Sequence, residues 1–125
     1  MIGTALATWR IMQCVQAGND DNYCAFARDN FNFAVAEVAM KWREWEPNQN
    51  EFASYGVDQL INWCSSKNWG IRAHCLFWDV DDYLHYPDWV YGLRGQDMVN
   101  AIHHRIETAM PYFQVGFHFK CCLLQ

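Results

Sequence analysis

Two segments of the chain share one pattern, a short apolar run that ends in polar and aromatic side chains. They are Val35-Ala36-Glu37-Val38-Ala39-Met40-Lys41-Trp42 and Ile71-Arg72-Ala73-His74-Cys75-Leu76-Phe77-Trp78, with a helical pattern between them. A parallel sheet presents a site in this way, with buried strands and chemistry at their carboxyl ends. Ile2-Gly3-Thr4-Ala5-Leu6-Ala7 reads as a short opening strand. Asp20 and Asp21 can cap a helix with apolar positions at Tyr23, Phe26, Ala27 and Phe31. Phe33-Ala34-Val35-Ala36 is too short for its period to decide, but its neighbours favour a buried strand ending near Glu37. Glu46-Pro47-Asn48-Gln49-Asn50 predicts a loop, because proline fixes the backbone and asparagine favours turns.

Ser54 can then cap a helix whose Val57, Leu60, Ile61 and Cys64 follow the i, i+3, i+4, i+7 spacing, and Asp58 suits its first turn. Asn68-Trp69-Gly70 predicts its end, with glycine in the left-handed cap. Residues 71–77 then read as the next strand and residues 83–92 as an aromatic-rich loop. Residues 93–110 read as a third helix, with Val99, Ile102, Ile106 and Ala109 on one face and Pro111 stopping it. Strand, helix, strand, helix, strand, helix predicts an α/β layer of parallel strands joined by right-handed crossovers. Residues 113–120 alternate like a fourth strand, and Cys121-Cys122-Leu123-Leu124-Gln125 follows without cap, turn or closing helix. A parallel sheet with a bare edge folds poorly alone. The chain reads as cut short.

Composition narrows the function classes. One domain is the most that 125 residues allow, and 52% hydrophobic with 17% aromatic content is ample for a core. Most of the seven tryptophans are expected to fill that core, leaving one or two open as flat platforms for a ring-shaped ligand such as a sugar. A net charge of -5 with scattered Lys and Arg argues against nucleic acid. No segment reaches the roughly 20 apolar residues of a membrane span, and no signal peptide is expected. The six cysteines form no CxxC pair and no zinc spacing. Disulfides suit a secreted protein, but their pairing is not readable from sequence. Cys64 and Cys75 fit buried thiols equally well.

Glu37, ending an apolar strand, could be a general acid or base, a metal ligand or an acceptor for a ligand hydroxyl. The bland alternative is an ion pair with Lys41 or Arg43. Asp79, at the end of the next strand, could join Glu37 in a glycosidase-like carboxylate pair. His74 lies inside its strand, where a lone histidine is more often core than ligand. His103-His104 reads as a solvated helix face, and Asp79, Asp81 and Asp82 as a solvated loop lacking the Gly and Glu of an EF-hand. No metal site or cofactor is expected, since no ligand spacing, Gly-rich phosphate loop or nucleophile elbow occurs.

Four motifs in order resemble glycoside hydrolase family 10, the endo-β-1,4-xylanases. Glu37-Val38-Ala39-Met40-Lys41-Trp42 with Glu46-Pro47 is similar to that family's E-N-x-M-K-W...E-P stretch. Residues 71–78 resemble its V-R-G-H-x-L-x-W strand, Pro87-Asp88-Trp89-Val90 its P-x-W-V element and Ile2-Gly3-Thr4-Ala5 its opening strand. Phe77-Trp78-Asp79-Val80 looks most like animal members. The resemblance implies an α/β fold, a partial TIM (β/α)8 barrel of about the first three βα units plus an aborted fourth strand. It implies hydrolysis of xylan or a related β-1,4-glycan with retention, and an extracellular location. Glu37, Lys41, His74 and Trp78 would line the glycone subsites, so that Glu37 holds a hydroxyl instead of moving a proton and His74 contacts the ligand.

The departures are Val38 for the family's Asn and Ala73 for its Gly. The acid/base W-D-V-x-N-E motif and the nucleophile glutamate motif do not occur, so no catalytic residue is expected here. Residues 1–113 read as the N-terminal part of the family domain. Residues 114–125 read as an atypical tail, by truncation or by read-through into an intron. Gln114-Val115-Gly116 can be encoded by CAG-GTN-GGN, which resembles a splice donor, and sequencing the transcript tests this. The second reading is a non-catalytic carbohydrate-binding or regulatory protein, favoured if the chain alone binds xylo-oligosaccharides. A small intracellular α/β protein with buried thiols is a third, but it leaves the two opening segments unexplained.

Overall fold

The computed structural model describes residues 1–16, 18, 22–78 and 85–114. Its elements are β1 (Gly3–Leu6), α1 (Thr8–Gln16), α2 (Asn22–Asn30), β2 (Phe33–Ala36), α3 (Trp42–Trp45), α4 (Tyr55–Ser66), β3 (Gly70–Arg72), a 3-10 turn at Asp88–Gly92, and α5 (Gly95–Gln114). The strands form one parallel sheet in the order β1-β2-β3. Gly3 pairs with Phe33 and Leu6 with Ala36, and Phe33 in turn pairs with Gly70. Side chains alternate across a strand, so Ala34 and Ala36 are buried on one face while Phe33 and Val35 are half-buried on the other. Leu6, Ile11, Met40, Trp45, Leu60, Ile71 and Leu76 belong to the core against that sheet.

Helix α1 was not anticipated. Its buried positions, Thr8, Ile11 and Cys14, are spaced by three, but exposed Trp9 and Val15 blur the stripe. A disulfide from Cys14 to Cys24 joins it to α2, with Cα atoms 6.1 Å apart. Replacing both cysteines by serine is expected to cost about 2–3 kcal/mol, the loop-closure entropy for so short a separation. Urea unfolding of the double variant measures it, and an unchanged midpoint would count against the estimate. In α2, Cys24 and Ala27 are buried, whereas Phe26 faces solvent at 62% exposure and meets Phe31 edge-on. The expected caps Asp20 and Asp21 lie outside the described residues.

Helix α4 buries Val57, Leu60 and Cys64 as predicted, while Ile61 is half-buried and Trp63, outside the predicted set, is buried. Ser54 does not cap it. Its hydroxyl instead donates to the Asp58 carboxylate at 2.9 Å. The helix end also departs from expectation, since Asn68 takes the left-handed conformation (φ 56°) in place of Gly70. The Trp69 amide donates to the Cys64 carbonyl and the Asn68 amide to that of Ser65, both at 3.0 Å. The Trp63 and Trp69 rings, 5.0 Å apart, complete this Schellman-type end with its apolar contact. Gly70 opens β3 because a Cβ there would lie 2.6 Å from the Phe33 ring.

Four further expectations are corrected. The strand at 71–77 ends at Arg72, since the carbonyls of Cys75 and Leu76 are taken by the Arg105 side chain and not by a neighbouring strand. Helix α5 runs through Pro111 to Gln114. The carbonyl that Pro111 leaves without an amide is that of Glu107, and both residues are exposed, so water can satisfy it. The buried stripe of α5 is Ala101, Arg105 and Ala109, with Val99 exposed at 43%. A charged residue at its centre hid the stripe from a purely apolar count. Phe113 and Gln114 are helical, and the rest of the expected fourth strand lies outside the described residues. Among the described residues no helix is long and apolar enough to cross a membrane.

Candidate functional site

The segment after β2 turns back at once. The Glu37 amide donates to the Leu6 carbonyl at 3.1 Å, which ties the strand ends together, and the Lys41 amide donates to the Val38 carbonyl at 2.8 Å. That turn sends the Lys41 side chain toward the segment after β3. Its ammonium stands 4.4 Å from the centre of the Trp78 ring, and its Nζ lies 3.3 Å from Nε2 of His85. The His74 ring meets Trp78 edge-on at 4.8 Å, and the His85 ring tilts against Trp78 at 4.6 Å. Lys41, His74 and Trp78 therefore converge, with His74, expected inside the strand, lying beyond the end of β3 at Arg72. His85 joins them unannounced. It reaches Lys41 across 44 positions of chain, with its carbonyl accepting from the Arg43 amide at 3.3 Å, and no spacing rule links the two.

Glu37 is exposed, and its carboxylate makes no hydrogen bond or ion pair among the described residues. The alternative ion pair with Lys41 or Arg43 does not form. Arg43 binds Asp88 at 3.0 Å, and Lys41 turns to the aromatic cluster. Asp79, Asp81 and Asp82 lie outside the described residues, so the carboxylate pair and the solvated loop do too. Val38, where the resemblance expects asparagine, is 39% exposed beside Glu37. Of the seven tryptophans, Trp42, Trp45, Trp63 and Trp69 are buried, Trp78 and Trp89 half-buried and Trp9 open.

Beneath the cluster lies a packed aromatic layer. Trp42 meets Phe77, Tyr86 and Trp89 edge-on, with ring centres 5.4–6.0 Å apart. Its indole N–H donates to Oε2 of Glu46 at 2.8 Å, while Oε1 accepts from the Asn50 amide at 2.8 Å. Glu46 is fully buried, a role that its place in a predicted loop did not disclose. A polar pocket of about 450 Å³ opens beside it, between the 46–50 loop and α5. His104 lines this pocket and packs against Phe52, so only His103 of the predicted solvated pair is exposed. No group of three or more His, Cys, Asp or Glu side chains that could hold a metal occurs among the described residues.

Burial, and after it the positive charges of Arg72, Lys41 and His85, hold the His74 imidazole below its ordinary value of 6.5. Its Nδ1 is buried without a partner among the described residues. A lowered folded pKa means that the unfolded chain takes up the proton first. Stability from this group is present above pH 6.5 and is lost as the pH falls from there toward the folded value. The thermal midpoint is expected to drop more steeply from about pH 7.5 to about pH 5 in the parent than in His74→Gln. Parallel curves would refute this.

The family model for Glycosyl hydrolase family 10 matches residues 1–119. Endo-1,4-beta-xylanase 1 of Arabidopsis thaliana is 34% identical over 106 residues, 83% of this chain and 11% of that protein. Anti-sigma-I factor RsgI6 of Acetivibrio thermocellus is 33% identical over 98 residues, 78% of this chain and 13% of that protein. Among solved structures, a glycosylated endo-beta-1,4-xylanase from Gloeophyllum trabeum superposes with a TM-score of 0.77 at 28% identity, covering 95% of this chain and 36% of that one. Xylanase10C of Cellvibrio japonicus, solved with xylopentaose, shares the fold with a TM-score of 0.79 at 18% identity, covering 98% of this chain and 24% of that one. The chain thus spans about a tenth of the curated relatives and a quarter to a third of the solved ones. Its three parallel strands and their helices are part of a TIM barrel. On the match over residues 1–119, this chain belongs to glycosyl hydrolase family 10.

Proposed function

We propose that Glu37, Lys41, His74 and Trp78 form the sugar-holding wall of a cleft for β-1,4-linked xylan. The wall stands on about the first three βα units of the barrel. The convergence of Lys41 and His74 on the Trp78 ring carries this reading. A xylose ring offers flat C–H faces and a rim of hydroxyls. It calls for one aromatic face and a few point donors and acceptors, and Trp78, Lys41, His74 and the unengaged Glu37 carboxylate supply these. The solved relative holding xylopentaose supports the ligand class.

Hydrolysis of xylan with retention would be the activity of the whole protein. It needs two carboxyl groups about 5 Å apart across the scissile bond, and both family glutamate motifs are absent from these residues. This chain alone is therefore a binding wall and not a catalyst. We assign the family portion to residues 1–113 and an atypical tail to residues 114–125, while the family match itself runs on to residue 119. A second reading, a non-catalytic carbohydrate-binding or regulatory protein, draws support from the relative named an anti-sigma-I factor. The Cys14–Cys24 disulfide supports an extracellular setting, where such bonds persist.

NMR titration of the chain with xylotetraose, run beside an assay for sugar release from xylan, tests the reading. Resonance shifts confined to the wall, with no release, are expected. Release of xylo-oligosaccharides by a clean preparation would overturn the non-catalytic assignment, and an unshifted wall at saturating sugar would overturn the site.

A further inference from the structure

We propose that Arg105 is the positioning residue of this wall, a clamp from α5 that fixes the Lys41 segment against the segment carrying His74 and Trp78. Its guanidinium Nη2 donates to the Met40 carbonyl at 2.8 Å and to the Cys75 carbonyl at 3.5 Å, and Nε donates to the Leu76 carbonyl at 3.5 Å. Met40 precedes Lys41, Cys75 follows His74, and Leu76 lies two residues before Trp78. The sheet ladder no longer holds either segment at these points, since β2 has ended at Ala36 and β3 at Arg72. The bond to Met40 has ordinary length, whereas the other two are at the long limit. The clamp thus grips the lysine segment firmly and the histidine segment loosely.

Packing alone does not call for an arginine here. The side chain is fully buried, and whole buried ion pairs are often replaced by apolar residues of similar volume without loss, so a buried cation needs a reason beyond filling space. A planar fork with five donors does what an apolar side chain cannot: it bridges carbonyls on two separate segments at fixed angles. The cation is compensated by the Trp45 ring, 4.7 Å away, and by the Glu46 carboxylate, although burial still lowers the guanidinium pKa to about 10. The consequence for sugar binding rests on the xylan reading above, but the positioning itself does not.

The test compares Arg105→Lys and Arg105→Met in the full 125-residue chain, using Ala101→Gly as a control that weakens the same helix without touching the clamp. Arg105→Lys is expected to shift the Trp78 indole and His74 imidazole resonances while leaving the indoles of Trp63 and Trp69 in place. Its affinity for xylotetraose is expected to fall at least about fivefold, about 1 kcal/mol, with Ala101→Gly unchanged in both readouts. Trp78 and His74 resonances coinciding with the parent, or perturbed equally in Ala101→Gly, would overturn the proposal. So would loss of the folded spectrum in both Arg105 variants, which would make the residue a determinant of the fold as a whole. A parent chain that ignores xylotetraose would sink the xylan reading, and the ligand-free resonances would still decide the clamp.

Discussion

Replacing Trp78 by alanine is expected to weaken binding of xylo-oligosaccharides by about 2 kcal/mol or more, roughly 30-fold. Within the cluster, Trp78 is the side chain that touches all the others. Lys41 sits over its ring, and His74 and His85 pack on it from two sides. Truncation would remove the flat face offered to a sugar ring and release the side chain that Lys41 rests on, so stacking and donor alignment are lost together. Trp78 is half-buried and lies outside the main core, so the unfolding midpoint should move far less than the affinity. Calorimetry with xylotetraose separates the two quantities. Affinity within twofold of the parent would show that the sugar does not lie on this ring. Trp78→Phe keeps a smaller face and is expected to fall between the parent and the alanine variant.

Glu46→Ala is expected to be the most damaging single change to stability, at about 3–5 kcal/mol. The fully buried carboxylate accepts the Trp42 indole N–H and the Asn50 amide, each at 2.8 Å. It is also the carboxylate that favours the charged form of Arg105. Alanine leaves the buried Trp42 indole N–H and the partly buried Asn50 amide without their acceptor and a buried cation with less compensation, which is the costly way to break such a network. Glu46→Gln retains one acceptor but turns an N–H toward the other donor, so it is expected to lose stability as well. Urea unfolding of both variants measures the effect. A loss below about 1 kcal/mol for the alanine variant would mean that water reaches these groups.

Local periodicity made much of this molecule legible. β1, β2, α4 and the loop after Glu46 stand close to where their patterns put them, because each depends on neighbours a few residues away. Several features misread at the sequence level depend on a distant partner. Gly70 lies in β3 in close contact with the Phe33 ring, and Asn68 takes the left-handed cap before it. Residues 73–77 cannot continue the strand once Arg105 takes two of their carbonyls. The stripe of α5 was miscounted because a buried arginine looks like a surface residue until its acceptors are known.

The candidate site divides along the same line. Lys41 and Trp78 could be nominated because strand ends gather polar and aromatic side chains wherever parallel strands lie side by side, whereas His74, read as core within its strand, was nominated by the family resemblance. Only the tertiary structure brought His85 to Lys41, buried Glu46 against the Trp42 indole, joined Cys14 to Cys24 and carried Arg105 to the Met40 carbonyl. Each of these is a contact between segments whose separation along the chain says nothing about their distance in space. The sequence alone determined which side chains the strand ends offer. Packing between distant segments decided which of them meet, and what holds them there.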